Sequence, residues 1–245
     1  MNKYSLALNF HENTKTIEIN NRYDPRIVYK TYPNTKAIPL EKNDINKASV
    51  LDDIFLQTLL SRQSTRAFTE DNIDLHTLSS LLTLSCGLKD ATAGTIFRTY
   101  ASAGGRYPIE VYVVNMSPGE IEQGIYHYNI YDNSLELIKS GDYSKKFRNF
   151  YKNQDSAIVT DYPFLILFSV VFERTMQKYG ERGYRFALID AGHMSQNLYL
   201  EATYLKLGIV AFGAGTDSDD KLDDVLGLTH NEENFFYAFA IGHPQ

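Results

Sequence analysis

Apolar positions along the chain fall into two rhythms, and each predicts an element type. Over residues 51–62, Leu51, Ile54, Phe55, Leu59 and Leu60 recur at the three-and-four spacing of one helix face. Residues 75–84 repeat that spacing, with Asp74 placed to cap the start and Gly87 to stop the end. The longest such stretch is 183–207. There Ala187, Ala191, Met194, Leu198, Ala202 and Leu205 share a face and Gly208 ends the helix. Its small residues predict close packing against another helix, with a subunit interface as one place for it. Residues 108–116 alternate and are rich in Val and Tyr, which predicts a strand. Residues 124–131 and 134–139 predict a hairpin turning at Asp132 and Asn133. The unbroken apolar run PFLILFSVVF at 163–172 predicts a central strand buried on both faces. Residues 209–212 and 235–241 predict two more strands, with a short helix at 219–226 between them. Before residue 51 no period holds, and Pro25, Pro33 and Pro39 interrupt the chain. Residues 1–50 therefore read as an extended N-terminal arm, and 51–245 as one domain. Helices and strands mix without regular alternation, which favours an α+β fold over a doubly wound sheet.

Charge and composition narrow the function. The 245-residue chain carries a net charge of −6 and has no cluster of Lys and Arg, which argues against nucleic acid or an anionic membrane as partner. No stretch of about 18 apolar residues is present to span a membrane. Residues 1–15 lack the apolar centre of a signal peptide, so the cytoplasm is the expected compartment. The single cysteine, Cys86, sits in LLTLSCGL and reads as a buried small hydrophobe. His11, His76, His127, His193, His230 and His243 are scattered singly, so no metal site is expected. The run Gly213, Ala214, Gly215 lacks the third glycine of a dinucleotide fingerprint. No strained nucleophile turn supports a hydrolase.

Two segments carry the chemistry. In SRQSTRAF, at 61–68, Arg62, Ser64 and Arg66 stand at alternate positions, so an extended backbone points them the same way. Two guanidinium forks and a hydroxyl on one side suit a phosphate; the same spacing also occurs at solvated helix ends. In RTYASAGGRYPIE, at 98–110, Ser102, Ala103, Gly104 and Gly105 bring small residues into a loop that enters a strand. Such a run lets the backbone approach a flat ligand closely. Together the two segments imply a phosphorylated, planar cofactor.

The SRQSTRAF segment, the SAGGRYP loop, QNLYLEATYLKLG and the terminal AIGHP follow one another in an order that resembles the FMN-dependent nitroreductase superfamily. Within it the chain is most similar to the SagB-type dehydrogenases, the azoline oxidases of thiazole and oxazole peptide biosynthesis. FHENTK, KTYPNTKAIPL and GIYHYN resemble that branch too. So, above all, does ERTMQKYGERGYRFALIDAGH at 173–193, whose Lys178 and Tyr179 match the segment bearing the branch's catalytic lysine and tyrosine. The resemblance implies an intertwined α+β homodimer, each copy with a central mixed sheet flanked by helices, and one FMN in each of two interfacial sites. Arg62, Ser64 and Arg66 would hold the phosphate and the neighbouring ring edge. Ser102, Ala103 and Gly104 would line the flavin from the opposite subunit, and Gly213, Ala214 and Gly215 would offer it bare backbone. Asn197 would serve either the cofactor or the packing of the long helix. His243 stands where the superfamily usually has Arg or Lys between Gly and Pro, and would meet the phosphate when protonated.

The activity so implied is oxidation of thiazoline or oxazoline rings, in a ribosomally made peptide, to the aromatic azole. Lys178 would act as base, which a lysine does when desolvation favours its neutral form. Tyr179 would relay the proton or stabilise a developing anion, and dioxygen would be the final electron acceptor. The expected partners are the modified precursor peptide and a cyclodehydratase complex. Two other readings stay open: an NAD(P)H-dependent nitroreductase or flavin reductase, and a non-catalytic partner subunit of a peptide-modifying complex.

Overall fold

The computed structural model describes residues 5–15, 30, 36, 38–40, 53–89, 97–151, 159, 161–212, 219–229 and 232–245. Its helices are α1 (Ser5–Thr14), α2 (Ile54–Ser61), α3 (Leu75–Cys86), α4 (Ser144–Tyr151), α5 (Phe172–Tyr179), α6 (Arg182–Tyr204) and α7 (Asp219–Leu226). Its strands are β1 (Ile109–Asn115), β2 (Gly124–Asn129), β3 (Ser134–Ser140), β4 (Phe164–Val170), β5 (Gly208–Phe212) and β6 (Asn234–Gly242), with a 3-10 turn at Ala103–Gly105.

The strands form one open six-stranded sheet in the order β3-β2-β1-β4-β6-β5. Every described pairing is antiparallel, so the expected mixed sheet is corrected to an antiparallel one within the α+β class. β4 lies between β1 and β6 and all seven of its residues are buried, as its unbroken apolar run requires. Alternate residues serve two cores. Ile109, Val111, Val113, Ile166 and Phe168 pack with Leu78 and Leu81 of α3 and with Ala187, Ala191, Met194 and Leu198 of α6. On the other face Tyr112, Val114, Leu165 and Leu167 meet Phe68, Phe147 and the Leu222, Val225 and Leu226 side chains of α7.

Local chemistry sets the ends of the elements. The Asp74 carboxylate accepts from Thr77 N at 2.8 Å and caps α3, as expected of an acid one residue before the helix. Asn133, at φ 49, supplies the left-handed position of the β2–β3 turn and accepts from the Tyr128 hydroxyl at 2.6 Å.

Three helices depart from the sequence reading. Residues 5–14 are helical rather than extended; of the other arm positions only a few are described. Residues 144–151 form α4. The apolar run at 163–172 is divided, since the strand stops at Val170 and Phe172 opens α5.

Candidate active site at the α5–α6 hairpin

Helices α5 and α6 are joined by a turn too short for them to separate. Gly180, at φ 58, closes α5 with its N–H on the Met176 carbonyl at 2.8 Å. A β-carbon on Gly183 would lie 2.7 Å from Met176 Cα, so only glycine lets α6 start against α5. This hairpin carries Lys178 and Tyr179 onto the Ala103–Gly105 turn. Gly104 has φ 61, and a β-carbon there would lie 2.5 Å from Tyr179 Oη and 2.6 Å from Lys178 Nζ. Lys178 Nζ lies 5.3 Å from the centre of the Tyr179 ring, which rests edge-on against Phe186 at 4.8 Å. Lys178 is exposed and Tyr179 half-buried.

One face of α6 fixes the loop that meets this pair. Asp190, 1% exposed, accepts from Ser102 Oγ at 2.5 Å and from Ala103 N at 3.1 Å. Ser102 Oγ in turn accepts from Tyr107 N at 2.8 Å. His193 Nδ1 donates to the Ala101 carbonyl at 3.0 Å. Asn197 Nδ2 donates to Thr99 O at 3.2 Å and more weakly to Ser85 O at 3.4 Å. Positions 190, 193 and 197 lie on one helix stripe, so α6 holds the loop at three heights. Burial pushes the Asp190 carboxyl up, while the bonds from Ser102 and Ala103 favour its charge. Asn197 is thus engaged in packing the loop.

A second group braces α5 from the sheet. Arg174, one turn before Lys178, bonds the Glu110 carboxylate and, at 3.1 Å, the Tyr107 carbonyl. Arg106 Nε donates to the Arg174 carbonyl at 2.7 Å. Glu110 lies 3.0 Å from His127 Nε2, and His127 Nδ1 lies 3.0 Å from Glu136. The bond to Glu110, reinforced by Glu136 against the cost of burial, raises the His127 pKa. Burial disfavours the Glu110 charge, but His127 and Arg174 outweigh it and hold that carboxyl below its usual value.

The phosphate-type segment lies elsewhere. Thr65 N donates to Ile209 O and Thr69 N to His243 O, each at 2.9 Å, and Phe68 bridges Pro244. Thr65 turns its methyl toward Gly208, while Ser64 and Arg66 are exposed. Arg62 lies over the Tyr199 ring at 5.7 Å. The segment bearing Arg62, Ser64 and Arg66 therefore runs beside His243, at the start of β5 and the end of β6. Lys178, Tyr179 and the Ser102–Gly104 loop sit at the opposite end, where Ile109 pairs Val170 and Val170 pairs Asn234. A seven-residue strand separates the two groups by about 20 Å. Gly213, Ala214 and Gly215 lie outside the described residues.

The donors suit the expected ligand. Arg62 and Arg66 form no ion pair among the described residues, and with Ser64 they offer a phosphate charged and neutral donors. At the other end the Gly104 turn presents backbone with no side chain of its own. Sequence reasoning missed Asp190 and Arg174. For Asp190 a signal existed, an acid set in the apolar stripe of Ala187, Ala191 and Met194. Among the described residues no His, Cys, Asp and Glu cluster could hold a metal ion, and no helix is long and apolar enough to cross a membrane.

The chain is 31% identical over 170 residues to a protein of Methanocaldococcus jannaschii that bears the name "Putative nitroreductase MJ1384", covering 69% of this chain and 83% of that one. It is 29% identical over 153 residues to the microcin B17-processing protein McbC of Escherichia coli, covering 61% of this chain and 55%, about half, of McbC. Among solved structures, the E. coli microcin synthetase McbBCD complex with truncated pro-MccB17 bound has a chain of like fold. Its TM-score is 0.72 at 21% identity, covering 97% of this chain and 86% of that chain. The Nitroreductase family model matches residues 59–243, a span that takes in the phosphate-type segment, the glycine turn, Lys178, Tyr179 and His243. The chain belongs to the Nitroreductase family.

Proposed function

We propose that the chain is an FMN-dependent dehydrogenase that oxidises thiazoline or oxazoline rings of a ribosomally made peptide to thiazole or oxazole. The observation that carries this reading is the meeting of Lys178 Nζ and Tyr179 Oη at Gly104. The similarity to McbC, named for processing microcin B17, supports a peptide as substrate.

Aromatising such a ring removes two hydrogens, one as a proton and one as hydride. FMN supplies the hydride acceptor when bound. Arg62, Ser64 and Arg66 would hold its phosphate, with His243 beside them. Ser102, Ala103 and Gly104 would line its ring, and the run Gly213, Ala214, Gly215 would offer it bare backbone. Lys178 takes the proton from the ring carbon. Tyr179, fixed by Phe186, passes the proton on or bonds the anion that forms. Dioxygen would be the final electron acceptor.

The phosphate donors and the catalytic pair occupy opposite ends of one sheet. Their separation supports a homodimer in which each site draws on both copies. The likeness in fold to a chain of the McbBCD complex, which holds truncated pro-MccB17, supports a precursor peptide as partner, and the cyclodehydratase complex is the partner that the family resemblance implies.

Lys178→Ala and Tyr179→Phe are expected to keep bound flavin and to lose azole formation, read by mass spectrometry as the loss of two hydrogens per ring. Full activity in both overturns the assignment. Anaerobic addition of NADH or NADPH to the purified flavoprotein separates the rival: a spectrum left unbleached supports the peptide oxidase, and rapid bleaching favours a nicotinamide-dependent reductase.

A further inference from the structure

Helix α1 lies outside the span matched by the family model, yet it touches the catalytic hairpin at three places. The Glu181 carboxylate accepts from Ala7 N at 2.8 Å and from Leu6 N at 3.2 Å. These are first-turn amides that have no partner within their own helix, and a negative charge at that end is favourable. His11, 6% exposed, packs edge-on against Phe172 at 4.9 Å, with its Nδ1 3.5 Å from the Tyr184 hydroxyl. Phe172 opens α5, Glu181 lies in the connecting turn, and Tyr184 belongs to the first turn of α6. Beyond the helix, Lys15 reaches Asp220 of α7 at 2.8 Å and Glu12 at 3.1 Å. Helix α7 follows the run Gly213, Ala214, Gly215 in the chain.

Resting on the reading of Lys178 and Tyr179 given above, we infer that α1 is a strap across the hairpin and that Glu181 is a positioning residue for both. Only Gly180 separates Glu181 from Tyr179, and its left-handed backbone can swing unless something anchors the turn. Within the turn two main-chain bonds act, Gly183 N to Gly180 O at 2.9 Å and Tyr184 N to Glu181 O at 3.3 Å. The side chain of Glu181 adds an anchor from a helix 174 residues away in sequence. The strap thus fixes the direction in which α5 delivers Lys178 and Tyr179 to Gly104.

The test uses the full chain with its flavin, as wild type and as Glu181→Ala, Glu181→Asp and Leu6→Pro. The proline removes one amide donor at an exposed first-turn position that tolerates it. Three quantities are read: amide hydrogen exchange without substrate, flavin stoichiometry, and kcat and KM for the precursor peptide. Glu181→Ala is expected to speed exchange roughly tenfold in residues 5–14 and in 176–184 together, as loss of a charged cap predicts. Flavin content is expected to stay constant, and kcat to fall by about tenfold with KM little changed. Leu6→Pro is expected to move the same quantities less, and Asp to restore part of them. Exchange that quickens in 5–14 alone, or kcat unmoved while both segments loosen, overturns the positioning role. Full activity of Lys178→Ala overturns instead the reading on which this one rests, and the exchange data separate the two failures.

Discussion

Gly104 and Lys178 share one small volume: a β-carbon on the first would lie 2.6 Å from Nζ of the second. The turn and the α5 end are therefore fitted to each other only while residue 104 has no side chain. Gly104→Ala meets both this crowding and a φ of 61, a conformation that costs an L-residue about 1–2 kcal/mol. The colliding atoms are tips of flexible side chains, so they move aside and the fold survives. Turnover is expected to fall further than stability, as measured by azole formation beside urea unfolding. Undiminished turnover would show that the shared volume plays no part in the reaction.

The second prediction concerns Ser102 and Asp190. Asp190→Asn removes the charge that accepts from Ser102 Oγ and Ala103 N in a buried place, and is expected to cost about 1–3 kcal/mol. Ser102→Ala removes two bonds, the one to Asp190 and the one from Tyr107 N, and leaves the carboxylate its backbone partner, so about 1–3 kcal/mol is expected. Denaturant unfolding checks both values. Equal and negligible effects would mean that the loop is held by other contacts.

The third prediction separates cofactor loss from chemistry. Arg62→Ala and Arg66→Ala are each expected to weaken flavin binding by about tenfold to a hundredfold through loss of a charged phosphate contact. The double variant is expected to purify colourless with its fold intact by circular dichroism. Stoichiometric flavin in that variant would remove the phosphate role from this segment.

The fourth prediction is an acid transition confined at first to α1. Burial, followed by the nearby Lys15 charge, lowers the His11 pKa to about 4, while Glu12 and Asp220 act in the opposite sense. Neutral His11 belongs to the docked state, so its contribution is complete above pH 6.5. It declines as pH falls from 6.5 toward 4, by up to on the order of 3 kcal/mol. Exchange of residues 5–14 is expected to quicken across that window before the sheet is affected. His11→Leu is expected to flatten the response, and an unchanged pH profile in that variant would assign the transition to another group.

Much of the frame was legible because single residues mark its period. The α6 stripe and the alternating β1 pattern each repeat often enough to reveal a face, and Asp74 marks the start of α3. Helix α5 was hidden because Phe172 continues the apolar run of β4, and Gln177, Glu181 and Arg182 resemble a solvated turn. Helix α1 was hidden for a different reason, since its cap is Glu181, remote in sequence. Within the site, the resemblance picked out Lys178 and Tyr179, but their meeting with Gly104 depends on the close α5–α6 contact at Gly183 and Met176. Arg174 is read only from partners that the fold brings to it, whereas Asp190 marks itself in the sequence as an acid within the apolar α6 stripe.

The distance between Arg66 and Lys178 along the sheet has a genetic counterpart. Under the proposed pairing of two copies, a chain lacking both Arg62 and Arg66 and a chain lacking Lys178 are each inactive alone, yet damage different halves of a composite site. Coexpressed, they assemble some mixed pairs in which one site inherits both defects and the other inherits neither. Random pairing would restore about a quarter of the normal sites. Two silent alleles would then produce an active enzyme.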